Sequence, residues 1–442
     1  MNKTNRKNRI ILQVALDFVD LKRAIVLARE ALKGGADWLE AGTPLIKSEG
    51  IDSVRELRKT FPSKTIIADM KIVDAGRAEV ETAAKAGANI VTVISSAACS
   101  TIRECVEAAS NYGAKIMVDF IDSEPEYKKV KEMEKMGVDY IGIHTAIDEQ
   151  MKGRISFNKV EELSKMTKLP LAAAGGINSA NAKDAVNAGA CIIVVGGAVT
   201  KAKDAAKAVR EIRRAVEGNI SIKTELFARS DSMEDIKKML VKVSTANVSD
   251  ALHRQKALEG MLKITAGVKL IGPAYTVRTY PGDWAKPVEA IDEAPRGAVI
   301  VVDAGGTGPA VWGELATSSA INRGIAGVVI EGAIRDVEEI RAMKFPAYAR
   351  QIMSAAGEPK GLGEMNVAVN AGGFRIFPGD MIFGDEDGVI VIGKDKIFEA
   401  VNRAMDVLER ENRIKKEISG GSSLGKVTEL LKWEKMKEGT IK

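Results

Sequence analysis

The chain has 442 residues, 45% hydrophobic and 28% charged, which is enough apolar content for two or three domains with sizeable cores. Its 65 Lys and Arg against 60 Asp and Glu leave a formal net charge of +5, spread along helical stretches, so no nucleic-acid-binding surface is expected. No apolar run approaches the ~20 residues of a membrane-spanning helix, and the three cysteines, Cys99, Cys105 and Cys191, lack metal-ligand spacing and read as reduced thiols of a cytoplasmic protein.

The start, MNKTNRKNR, is basic. Only a short apolar run over 10–16 follows, ending at Asp17, which does not read as a signal peptide. From there apolar strands are expected over 10–16, 37–42, 65–71, 89–95, 115–121, 139–145, 169–176 and 191–197. Amphipathic helices lie between them, and Gly35, Gly87, Gly113, Gly137 and Gly189 stand where helices should stop. Strands alternating with helices imply a parallel sheet with right-handed crossovers. Eight such units predict a closed (β/α)8 TIM barrel, with an open doubly wound sheet as the alternative.

Polar residues fall at the expected C-terminal ends of these strands. They are Asp17, Glu40, Asp69 with Lys71, Thr92, Asp119 and His144. In IIADMKIVDAG (66–76) the spacing D-x-K-x-x-D places Asp69 and Lys71 on one side of a strand by simple alternation, with Asp74 in the loop beyond. Such a cluster reads either as a structural ion-pair network or as a site, because charges at a strand end cost desolvation unless they pair or hold a metal. Convergence of six strand ends on one rim favours a site. The last two units end in AAGGIN (173–178) and VVGGA (194–198), where Gly176 and Gly197 let backbone amides approach a ligand closely. Loops after strands seven and eight commonly hold phosphate in barrels, so a small phosphate ester is the expected substrate.

Over 10–216, Asp17, ADWLEAGTPLIKSEG (36–50), ADMKIVDAG (68–76), GIHTAIDEQ (142–150), AAGGI and VVGGAVTKA (194–202) resemble the orotidine-monophosphate-decarboxylase superfamily. Within it they are similar to the group of 3-hexulose-6-phosphate synthases and 3-keto-L-gulonate-6-phosphate decarboxylases. The resemblance implies a lyase that condenses formaldehyde with D-ribulose 5-phosphate, or runs the reverse cleavage. It implies Mg²⁺ on Glu40 and Asp69, with Asp17 and Lys71 against the sugar hydroxyls and the developing enediolate. Proton handling falls to His144, and phosphate to the Gly176 and Gly197 amides. Asp74 would reach into a neighbouring subunit's site, making a dimer. The gulonate decarboxylases are expected to carry an Arg three residues after the strand-six His. Here Ile147 stands there, which favours the synthase branch and leaves the decarboxylase as the alternative.

After 216 the periodicity stops. The expected division is a barrel over 8–218, a linker over 219–232, a second α/β domain over 233–420 and a tail over 421–442. In the second domain a helix is expected over 236–254, with Ser244 and Ser249 as turn or cap residues. Strands are expected near 269–277, 298–303, 327–331 and 389–392, and helices over 314–323 and, strongly charged and solvated, 396–416. WGELA (312–316), GVVIEGAIRD (327–336) and PGDMIFGDEDGVIV (378–391) resemble the ribonuclease E activity regulator A-like family. That family includes metal-dependent 2-keto-acid aldolases and non-catalytic binding proteins, assembled as trimers or hexamers. The resemblance implies that Asp336 ligates Mg²⁺ or Mn²⁺, Arg335 grips the keto acid and Glu314 orients metal-bound water. The alternative is a binding or assembly module. His253 reads as structural.

Overall fold

The structure is a computed structural model and describes residues 9–121, 126–153 and 155–428. Residue 8 of the expected barrel and residues 429–442 of the expected tail lie outside the described residues. The chain forms two compact units. One holds the chain up to Gln150, residues 154–229 and the chain from Glu409 on; the other holds 151–153 and 230–408.

In the first unit, β1 (Ile11–Leu16), β2 (Trp38–Ala41), β3 (Thr65–Ile72), β4 (Ile90–Ile94), β5 (Lys115–Ile121), β6 (Tyr140–His144), β7 (Leu171–Ala174) and β8 (Ile192–Val195) close in order into a barrel. Neighbouring strands are parallel throughout, and β8 returns to β1 with Ile11 opposite Ile192. The local signals explain this pattern. Asp20 and Asp204 accept backbone N–H groups at two helix starts. Gly35, Gly113 and Gly137 end helices in the left-handed conformation. The interior is filled by Ala15, Ile67, Ile90, Met117, Ala172, Ile192 and Val194. Trp38 and Tyr140 pack edge to face at 5.7 Å near the strand N-termini. This plug leaves the C-terminal rim as the open end, where the polar residues stand.

Strand β3 departs from regular pleating. Its register with β4 shifts between Ala68 and Ile72, and Lys71 sits at φ +48°. The alternation expected to put Asp69 and Lys71 on one side is therefore not what joins them. The bulge re-aims the backbone, at a cost of about 1 kcal/mol for a non-glycine left-handed residue. The Lys71 ammonium still lies 3.0 Å from the Asp69 carboxylate.

The second unit is built on a sheet with Leu270–Thr279, Val299–Asp303, Gly327–Ile334 and Ala347–Ile352 parallel in its centre. Antiparallel strands flank them: Leu262–Lys263 on one side, Met381–Asp385 and Gly388–Ile392 on the other. The helix Glu314–Arg323 falls where the sequence puts it. The helix expected over 236–254 is two, Met233–Lys242 and Thr245–Ala251. The second starts at Ser244, whose side chain accepts the Asn247 N–H in a reciprocal capping box.

The long helix Ile397–Ser419 corrects two expectations. Its residues from Glu409 on belong to the barrel unit, so the second domain does not run to 420. Nor is its charged run simply solvated: Glu409 and Arg413 are each 6% exposed. Arg413 donates to both oxygens of Glu30 at 2.9 and 3.0 Å and to Glu417, while Glu409 pairs with Arg229 at 2.9 Å. A charge run read along the chain shows no burial when its partners lie hundreds of residues away.

Candidate active site

The open end of the barrel leads into a cavity of about 810 Å³. Asp17, Glu40, Asp69, Lys71, Asp119 and His144 all line it, as do Gly176 and Gly197. Each stands at or just beyond the C-terminal end of a different strand, save that β3 supplies both Asp69 and Lys71.

Asp69 is the hub. Its Oδ2 accepts the Thr43 hydroxyl at 2.7 Å and its Oδ1 the Thr92 hydroxyl at 2.8 Å. Lys71 Nζ lies 3.0 Å from Asp69 and 3.3 Å from Asp119 Oδ2, and its backbone N–H donates to Thr92 Oγ1. The lysine is thus held between two carboxylates. Burial opposes its charge, but Asp69 and Asp119 outweigh burial and raise its pKa. His144 Nδ1 stands 3.7 Å from Asp119 Oδ2, an ion-pair distance too long for a hydrogen bond. Burial disfavours the imidazolium, yet the Asp119 charge prevails and the His144 pKa rises above its ordinary value. Asp119 moves the other way: burial pushes it up, while His144 and Lys71 bring it below the usual carboxylate range.

Glu40 and Asp17 are differently placed. Glu40 is 8% exposed and accepts a hydrogen bond from Gln13 Nε2. Burial, Asp69 and Asp17 hold its carboxyl well above the usual range. Water reaches Asp17 through the cavity, but protein surrounds it, and burial with Asp69 raises its pKa too. A Cβ on Gly42 would lie 2.2 Å from Asp17 Oδ1, so only glycine leaves that carboxylate its place. Negative charge is in excess here: Asp17, Glu40 and Asp69 share one ammonium, that of Lys71.

Asp74 is not brought to this cavity. It is exposed, accepts the Ala75 N–H at 2.7 Å and lines a separate depression with Arg77, Glu81 and Thr101. Gln13 and Thr43, which touch the carboxylates directly, were not singled out from the sequence, and Asp119 was noted without a role. A glutamine inside the apolar run IILQVAL and a Thr closing LEAGT were the available signals. Phe227, Arg410 and Arg413 also line the cavity. No spacing rule links them to it.

The model of the orotidine 5'-phosphate decarboxylase / HUMPS family matches residues 11–212. A 3-hexulose-6-phosphate synthase of Mycobacterium gastri is 37% identical over 205 residues, covering 46% of this chain and 99% of that protein. The chain belongs to the orotidine 5'-phosphate decarboxylase / HUMPS family. A Bacillus subtilis 3-hexulose-6-phosphate synthase is 35% identical, covering 46% of this chain and 98% of that protein. The crystal structure of a 3-hexulose-6-phosphate synthase from Salmonella typhimurium, 33% identical, matches with a TM-score of 0.46, covering 47% of this chain and 99% of that one. The HUMPS-family barrel is thus one part of this chain, and residues 245–391 match the Aldolase/RraA model.

In that RraA-like unit the three expected residues meet. Glu314 opens the helix Glu314–Arg323 and donates its N–H to Asp336 Oδ2 at 3.1 Å. Arg335 Nε lies 3.4 Å from the same oxygen. Asp336 takes φ +54° at the end of the strand Gly327–Ile334. A Cβ on Gly313 would lie 2.5 Å from Asp336 Oδ2, so glycine permits the approach. The site is open, with Glu314 exposed and the side chains of Arg335 and Asp336 43% and 36% exposed. Among the described residues of either unit, no group of three or more His, Cys, Asp and Glu side chains stands ready to enclose a metal ion.

Proposed function

We propose that the barrel is a 3-hexulose-6-phosphate synthase, joining formaldehyde to C1 of D-ribulose 5-phosphate and running the reverse cleavage with the same groups. The observation that carries this reading is Lys71 clamped between Asp69 and Asp119, with His144 on the far side of Asp119. An aldol reaction through C1 needs a proton acceptor and a fixed positive charge for the enediolate oxygens, and this cluster holds both in one cavity.

In the proposed sequence His144 accepts the C1 proton, and the electron pair passes to the C2 oxygen beside the Lys71 ammonium. The C1 carbon then bonds to the formaldehyde carbon, the C2 carbonyl re-forms, and His144 returns its proton to the new hydroxymethyl oxygen. Asp119 orients His144 and supports the imidazolium while the proton is held. Asp17 accepts hydrogen bonds from the sugar hydroxyls, and the Gly176 and Gly197 backbones lie along the phosphate.

The donor set fits Mg²⁺. Glu40 and Asp69 are hard oxygen donors in a pocket with excess negative charge, and Mg²⁺ needs only one or two carboxylates because it keeps several waters. When bound, Mg²⁺ would supply Lewis-acid stabilisation of the oxygens of the enediolate. The test is formaldehyde consumption with ribulose 5-phosphate across a Mg²⁺ titration. Wild type should turn over. Asp69→Asn should fall by roughly 10²-fold or more; near-native activity indifferent to Mg²⁺ would remove the reading.

For the RraA-like unit we infer a divalent-metal-dependent lyase of 2-keto acids, with Asp336 as metal ligand, Arg335 on the keto acid's carboxylate and Glu314 on metal-bound water. Support comes from the meeting of all three at one strand end.

A further inference from the structure

The cavity at the barrel mouth has a wall that the barrel itself does not build. Phe227, Arg410 and Ile414 line it, all within the barrel unit but outside the eight strand–helix repeats. Their placement is fixed. The Phe227 ring lies against Gly197, where an added Cβ would come within 2.4 Å of it. The Phe227 N–H donates to Glu409 Oε1 at 2.7 Å, and Arg229, whose side chain is fully buried, pairs with Glu409 at 2.9 Å. One turn later Arg413 donates to the carbonyl of Ala202 at 3.2 Å as well as to Glu30. Glu409 and Arg413 therefore clasp the loop after β8 from two directions, at Gly197 and at Ala202.

Arg410 lies between these two anchors, and it lines the cavity. Its neighbours Glu409 and Arg413 are spent on structural pairs, while Arg410 is exposed to the cavity solvent. The opposite pole carries Asp17, Glu40 and Asp69, which repel an anion. A phosphate entering this cavity is driven toward the cationic side, the side of the loop after β8. A guanidinium presents paired donors to phosphate and stays charged at any working pH.

We propose that Arg410 is a phosphate-binding residue of the barrel's site, supplied by the helix turn 409–413 and pairing with the phosphate of the sugar phosphate held against Gly197. This rests on reading the barrel as a sugar-phosphate aldolase. Segments distant in sequence from the barrel's repeats would then complete its substrate site.

The test uses the full chain and two probes. Binding of inorganic phosphate is measured by calorimetry, and ribulose 5-phosphate kinetics by formaldehyde consumption, for wild type, Arg410→Met and Arg410→Lys. Arg410→Met should weaken phosphate binding roughly tenfold, raise KM for ribulose 5-phosphate by a similar factor and leave kcat within about twofold. Arg410→Lys should recover part of the loss. Wild-type phosphate affinity and KM in Arg410→Met would overturn the proposal, as would wild type that binds no phosphate. A loss accompanied by a lowered unfolding midpoint and no recovery in Arg410→Lys would overturn it in favour of a structural role. Failure of the aldolase reading looks different: no turnover by wild type, while phosphate binding still depends on Arg410.

Discussion

Asp17 and Glu40 are carboxyl groups held where a free carboxylate is unwelcome, enclosed by protein and next to Asp69. The fold carries this repulsion as a local instability, as sites built for charged ligands commonly do. Glu40→Gln should therefore raise the thermal midpoint in chelator-treated buffer. The same variant should lose the Mg²⁺-dependent rise expected of wild type, which thermal denaturation with and without Mg²⁺ checks directly. His144 gives a pH prediction of definite sign. Its pKa is raised by Asp119, so the pair contributes stability below the ordinary histidine value of 6.5, and that contribution fades as pH climbs through the folded value. In Asp119→Asn the support is gone. If neutral His144 is the active base, the acid limb of the kcat profile should move to lower pH, and kcat should fall because Lys71 also loses a partner. A limb that stays put would take His144 out of the proton step. The sequence pointed to Glu40, Asp69, Lys71 and His144 because their strand-end positions are local facts. It was silent on Gln13 and Thr43, because a short polar side chain near a strand end has many uses and only the folded cavity selects one.

At the level of elements, local punctuation was legible. Gly35, Gly113 and Gly137 stop helices, and the helix Glu314–Arg323 has the bounds its pattern predicts. Ser244 begins a helix rather than sitting inside one, because its side chain offers the backbone a better partner at an N-terminus than in mid-helix. Ser244→Ala should lose about 1 kcal/mol, read as a lower denaturant midpoint of the second unit's transition with an unchanged slope. Strand β3 was located correctly, but its geometry was not. Alternation assumes an unbroken ladder, whereas the bulge between Ala68 and Ile72 puts Lys71 in the left-handed region. A bulge is decided by what the neighbouring strand and the cavity require of the backbone, and ADMKI carries no glycine or other local mark of it.

Across the whole molecule the chain carries two candidate sites of different chemistry in separate compact units. They should be separable by single substitutions in the full-length protein. Asp336→Asn should abolish Mg²⁺-dependent pyruvate release from oxaloacetate and leave formaldehyde consumption within about twofold. Asp69→Asn should do the reverse. Absence of pyruvate release by wild type would favour the binding-module reading of the RraA-like unit. The alternation of strands and helices, the closure into a barrel and the residue types at its rim could all be read from the sequence, because each depends on spacing within a few tens of residues. Three things were left to the tertiary structure: which carboxylate neutralises which cation, where β3 breaks its pleat, and the return of the chain from Glu409 to the barrel. Each depends on a contact between distant segments, such as Arg413 with Glu30, which exists only once the fold has brought them together.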